Sequence, residues 1–118
     1  MRAKDAWGRF GEEVAARHLR SEGLIVLDRN WRCDVGEIDI VAREGNTLVV
    51  CEVKTRSGTG FGSPLEAVTA TKAARLQRLA ACWLRAHDVR PRDIRIDVVG
   101  VIAGKGAPRI EHVRGAIG

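Results

Sequence analysis

The chain has 118 residues, 45% hydrophobic and 30% charged, a balance that suits one water-soluble domain (1–118) with a core large enough to need no covalent staples. Cys33, Cys51 and Cys82 are odd in number without a Cys-x-x-Cys pair, and His18, His87 and His112 lack ligand spacing, so a disulfide framework, a zinc ribbon and histidine-based hydrolysis are unsupported. The net charge of +5 favours a polyanionic partner, while the absence of tyrosine excludes a tyrosine nucleophile.

No apolar run approaches the roughly 18 residues of a membrane span, and the start lacks a signal-like apolar stretch, so a cytoplasmic protein without a membrane partner is expected. Residues 5–22 read as a helix with Asp5 as N-cap and Gly23 just past its end. At 100° per residue, Trp7, Phe10, Gly11, Val14, Ala15 and Leu19 form its buried side, and Arg9, Glu13, Arg17 and Arg20 face water. Glu13 is placed to pair with Arg17 at i,i+4. Glu12 falls beside Ala16 and Leu19 at the edge of the apolar face, and from the helix alone a boundary glutamate reaching water is the simpler reading. Residues 24–32 read as a strand ending in Arg29-Asn30-Trp31-Arg32, where the two arginines suit phosphates; Trp31 suits either base stacking or, the favoured reading, ordinary packing.

Two β-rich runs, 37–44 and 47–54, flank Gly45-Asn46, a pair suited to a tight hairpin turn. With those two residues as the loop, facing residues have numbers that sum to 91, which sets Val41 against Val50, Asp39 against Glu52 and Glu37 against Lys54. All of these share one face. A loop of three or five residues would instead make the Asp39 to Glu52 relation diagonal. Facing carboxylates repel at Cβ separations of roughly 4.5–5.5 Å. Either a hard divalent cation or Lys54 with an arginine would compensate. On the other side of that strand, Cys51 alternates with Val49 and Val53 as a buried small side chain.

The Gly-rich segment 55–64 lacks the ending of a phosphate-binding P-loop and reads as a lid or a plain connector. A helix follows over 71–87, with Leu76, Leu79, Ala80, Trp83 and Leu84 as its core stripe and Lys72, Arg75, Arg78 and Arg85 as a cationic side. From Lys54 to Arg92 eight basic residues meet only Glu66 and Asp88. A strand over 94–102 contains Asp97, read as a structural partner for an arginine, and a short strand near 109–113 closes the chain. The order αβββαββ indicates an α/β or α+β domain, with helices packed on a mixed sheet.

With Asp39 and Glu52-Val53-Lys54 on neighbouring strands behind a helix bearing Glu12, the arrangement resembles the PD-(D/E)XK nuclease superfamily, of restriction-endonuclease-like fold. It is closer still to the YraN family of uncharacterised bacterial proteins, themselves similar to archaeal Holliday junction resolvases. The likeness runs through Gly8-x-x-Gly11-Glu12, Arg29-Asn30-x-Arg32, Gly36-Glu37-Ile38-Asp39, Glu52-Val53-Lys54-Thr55-Arg56, Phe61-Gly62-x-Pro64-x-Glu66-Ala67-Val68, Lys72 and Asp97-Val98-Val99. The resemblance implies Mg²⁺- or Mn²⁺-dependent hydrolysis of DNA phosphodiesters, including branched or junction DNA, by a chain that forms homodimers as the resolvases do. Asp39, Glu52 and the Val53 carbonyl would be metal ligands, joined by Glu12 directly or through water. Lys54 would orient water or stabilise charge on phosphorus, and Arg29, Arg32, Arg56, Lys72 and Arg75 would hold the nucleic acid. Other readings are a non-catalytic nucleic-acid-binding or adaptor protein on the same fold, and a structural interaction module.

Overall fold

A computed structural model describes residues 5–58 and 68–116. Its elements are α1 (Ala6–Ser21), β1 (Ile25–Cys33), β2 (Gly36–Glu44), β3 (Thr47–Ser57), α2 (Ala70–His87), β4 (Asp93–Ala103) and β5 (Arg109–Val113), in the expected order. The strands lie side by side as β1-β2-β3-β4-β5. Among the described strands only β3 and β4 pair in parallel. A parallel pair needs a crossover, and α2 is that crossover.

The pleat sorts the apolar side chains onto two faces. Ala15, Ala16 and Leu19 of α1 pack with Ile40, Ala42, Val49, Cys51, Val99 and Val101. Leu76, Leu79, Ala80 and Trp83 of α2 pack with Ile38, Val41, Leu48, Val50 and Ile96. Cys51 is buried as expected, and burial raises its thiol pKa well above the ordinary value. Trp31 is packed in the α2 layer, edge-on to His87. The Trp83 indole stacks on His87 and donates to Asp28 Oδ2 at 3.1 Å, which fastens α2 to β1.

The hairpin has the expected register, from Glu44 opposite Thr47 to Ile40 opposite Cys51, with Gly45 at φ 60° in the turn, where an L side chain would be strained. The ladder stops there, one step before Asp39 would face Glu52. Another step would set Ile38 against Val53, but the Val53 N–H donates to Asp39 Oδ2 at 2.9 Å instead. On the other flank, β1 pairs with β2 at Arg29 and Trp31 while Asn30 between them adopts a left-handed φ of 54°. Strand β2 rolls over at Asp39: Ile38 joins the α2 layer and Ile40, two residues on, joins the α1 layer.

Two expectations for α1 are corrected. Its buried line runs through Gly11, Glu12, Ala15, Ala16 and Leu19, rotated toward Glu12 relative to the arc drawn from hydrophobicity. Trp7 and Phe10 fall outside it and are 43% and 41% exposed. Glu12, expected to reach water, is 1% exposed. The close approach of helix to sheet accompanies this rotation. A Cβ on Gly11 would overlap Thr55 Oγ1 and lie 2.9 Å from Thr55 Cβ, so only glycine lets α1 sit this near β3.

Asp97 meets its arginine, Arg95 Nε at 2.8 Å, and also accepts from His112 Nε2 at 2.8 Å and the Gly115 N–H at 3.0 Å. His112 Nδ1 lies 3.0 Å from His18 Nε2, which joins β5 to α1. Burial alone would raise the Asp97 carboxyl, but His112, Arg95 and the Gly115 N–H hold it at about 2, below the ordinary 3.8. As pH falls the unfolded chain therefore takes up this proton first, so the stabilisation is present above 3.8 and lost toward about 2. His18 is held below 6.5 by burial and by His112, with Arg114 acting in the same direction and Glu22 opposing, so its contribution is lost as pH drops below 6.5. Urea titrations followed by tryptophan fluorescence are expected to show stability declining in two acid stages. Asp97→Asn should shrink the lower stage by about 2 kcal/mol, leaving the part that Glu13 and Glu44, also held below the ordinary carboxylate value by arginines, contribute.

Candidate active site

Where β2 and β3 part, a cleft of about 540 Å³ opens between the start of α1 and the start of α2. Asp39 and Glu52 lie in it with Val53, Lys54 and Thr55 of β3. Arg32, Gly36 and Glu37 form the β1–β2 side, Lys72 and Arg75 come from α2, and Asp5, Trp7 and Gly8 from α1. Local structure sets these positions. Asp5 Oδ1 accepts the Gly8 N–H at 2.7 Å and starts α1, while Thr69 Oγ1 accepts the Lys72 N–H at 3.2 Å and starts α2. Asp39 is fixed by the Val53 N–H that the sheet ladder leaves available.

The charges in this cleft act on one another. Burial and then the adjacent Asp39 carboxylate push the Glu52 carboxyl up, partly offset by Lys72, whose Nζ lies 2.7 Å from Glu52 Oε2. Glu52 and Asp39 are close enough to share a hydrogen bond when one is protonated. Lys54 is lowered by contact with Lys72, then by burial, against the pull of Glu52 and Asp39. Lys72, which spacing along the chain did not bring here, outweighs them. Burial alone would lower Lys72; Glu52 and Lys54 raise it, so Lys72 keeps its charge more firmly than Lys54.

Of the residues singled out from sequence, Asp39, Glu52, Val53, Lys54, Arg32, Lys72 and Arg75 line one cleft. Glu12, Arg29 and Arg56 are not among its lining residues. Glu12 Oε1 instead accepts from Arg29 Nε at 2.9 Å and Asn30 Nδ2 at 2.8 Å, and Arg29 also pairs with Glu13, itself paired with Arg17. The motif from Phe61 to Ala67 and most of the Gly-rich segment lie outside the described residues. Sequence reasoning missed Asn30 as a structural element and Trp7 as a wall of the cleft. Trp7 was open to discovery: once Glu12 is taken as inward-facing, the helical phase turns Trp7 toward the rim.

A hard divalent cation takes oxygen ligands, often one or two carboxylates completed by water and phosphate. Among the described residues no three Asp, Glu, His or Cys side chains gather as a ligand set. Asp39 and Glu52, with Val53 in the same cleft, offer the smaller all-oxygen set that such an ion accepts. Buried carboxylates this close also need positive charge, which Lys72 supplies in part. Among the described residues no helix is long and apolar enough to cross a membrane.

The family model described as uncharacterised protein family UPF0102 matches residues 11–101. A UPF0102 protein of Beutenbergia cavernae is 61% identical over 116 residues, 98% of each chain. One of Frankia alni is 62% identical over 117 residues, again 98% of each chain. One of Streptomyces coelicolor is 56% identical over 118 residues, 98% of this chain and 91% of its own.

Proposed function

The chain belongs to the UPF0102 (YraN) family, and from that premise and the chemistry of its cleft we propose a Mg²⁺- or Mn²⁺-dependent nuclease that hydrolyses phosphodiester bonds in DNA. The observation that carries the reading is the pairing of two carboxylates, Asp39 and Glu52, at the base of a cleft whose other charged walls include Arg32, Lys54, Lys72 and Arg75. A pure anion binder gains nothing from carboxylates that repel phosphate. A site that must hold both a cation and a phosphate needs both kinds of residue.

In this reading Asp39, Glu52 and the Val53 carbonyl would hold the ion. The bound ion would polarise a phosphoryl oxygen and make hydroxide available near neutral pH. Arg32 and Arg75 grip the phosphates flanking the reacting one, Arg as a bidentate donor. Lys54, fixed on the strand that carries Glu52, stabilises the charge that builds on the phosphoryl oxygens. Lys72 balances Glu52 and adds positive charge where the substrate enters.

The Lys72 to Glu52 contact at 2.7 Å also favours a second reading, since it neutralises one carboxylate without any metal. In that case the protein binds nucleic acid and cuts nothing. Incubation of purified protein with branched, single-stranded and duplex DNA, with and without Mn²⁺, separates the two. Metal-dependent cleavage that disappears in Asp39→Asn supports the nuclease, and salt-sensitive binding without cleavage leaves the binding protein. Comparing the three substrates also tests the expected preference for branched DNA.

A further inference from the structure

Trp7 stands on the cleft wall while 43% exposed, with Phe10, 41% exposed, stacked behind it at a centroid distance of 5.9 Å and an interplanar angle of 21°. Burying large aromatic surface is among the strongest contributions to folding, so two such side chains left at one rim forgo stability there. The rotation of α1 toward Glu12 places them outside the buried arc, and the first turn carries no buried residue. The surroundings of Trp7 define what would cover it. Arg32, Lys54, Lys72 and Arg75 line the same cleft with Asp5, Glu37, Asp39 and Glu52; Asp5 is engaged by the Gly8 N–H, Glu37 lies 3.9 Å from Arg32 Nε and Glu52 2.7 Å from Lys72 Nζ. An apolar protein partner would have to desolvate this charged wall and offer it nothing polar in return. A nucleotide offers a flat π face joined to an anion, which answers both features at once.

We propose that Trp7, backed by Phe10, is a stacking platform for one unpaired base whose neighbouring phosphate enters the cleft. The proposal rests on the nucleic-acid reading above and narrows it to a substrate class. Inside a continuous duplex each base is covered on both faces by its neighbours. The platform therefore serves single strands, branch points and bases turned out of the stack. Trp7 determines strand preference here; the bond-breaking groups remain those around Asp39 and Glu52.

The test is direct binding of a fluorescently labelled single-stranded oligodeoxynucleotide and of a duplex of equal length, at fixed salt without divalent metal, to wild type, Trp7→Ala and Trp7→Phe. Wild type is expected to prefer the single strand. Trp7→Ala should weaken that binding by about 5- to 150-fold, the range carried by base–aromatic stacking, and leave duplex binding unchanged. Trp7→Phe should keep most of the affinity. Intrinsic tryptophan emission should be quenched by the single strand in wild type and much less in Trp7→Phe, because Trp31 and Trp83 are packed in the α2 layer. If Trp7→Ala leaves single-strand binding intact, or weakens both forms equally, the platform is wrong and the nucleic-acid reading stands. If wild type binds neither form with or without Mn²⁺, both readings are overturned.

Discussion

Asp39→Asn is expected to lower metal-dependent cleavage by about a hundred- to a thousandfold, the loss that follows when one preorganised charge-stabilising element of an active site is removed. The side chain changes shape hardly at all, and the asparagine amide oxygen can still accept the Val53 N–H that now reaches Oδ2 at 2.9 Å. What disappears is a negative charge beside Glu52. The same variant should lose a second property that does not depend on turnover. A ligand that binds only the folded state stabilises it by roughly 2.7 kcal/mol at about a hundredfold excess over its Kd, on the order of 10 °C in Tm for a domain of this size. Mn²⁺ should raise the wild-type midpoint in this way and leave Asp39→Asn unmoved in differential scanning fluorimetry. A rise of equal size in both proteins would place the ion elsewhere. Cleavage that persisted in the variant would remove Asp39 from the chemistry.

Arg29→Ala is expected to cost about 3 kcal/mol of folding stability, read as a lower urea midpoint. Arg29 was expected to hold nucleic acid. Its guanidinium Nε lies 2.9 Å from Glu12 Oε1, and Glu12 is 2% exposed at its side chain while Arg29 is 31% exposed. Removing the cation leaves a buried carboxylate to be supported by Asn30 alone among those two partners. The cost stays near the lower end of the range for broken buried pairs because Asn30 remains and Arg29 is partly solvated. Combining Arg29→Ala with Glu12→Gln should recover much of the loss, since the amide needs no counter-charge. If Arg29→Ala left stability unchanged but weakened DNA binding, Arg29 would be a nucleic-acid contact rather than a structural one.

The hairpin was legible because its signals are local: a turn pair, alternation on both strands and a register fixed by loop length, all of which hold from Glu44 to Ile40. The two helices and the crossover followed from periodicity and order for the same reason. What sequence could not supply was how the pattern ends. The release of β2 from β3 at Asp39 depends on a carboxylate capturing a backbone N–H, and the left-handed Asn30 depends on Glu12 arriving from another element. Lys72 shows the limit from another direction. Its charge was read correctly, but its contact with Glu52 is set by where the crossover helix begins, which no spacing along the chain encodes. The expected buried side of α1 holds at Gly11, Val14, Ala15 and Leu19 and fails at Trp7 and Phe10, because hydrophobicity weighs those two heavily, whereas the packing is decided by Gly11 against Thr55.

The roll of β2 at Asp39 has a mechanical meaning. One strand is gripped by α2 through Ile38 and by α1 through Ile40, so the residue between them is clamped from both layers. The base of the cleft is therefore stiff, held by the same packing that keeps the domain folded. Its rim differs: the first turn of α1, with Trp7, contributes nothing to either layer. Accommodation of differently shaped ligands then falls to the rim, while the carboxylate geometry at the base stays constant from one to the next.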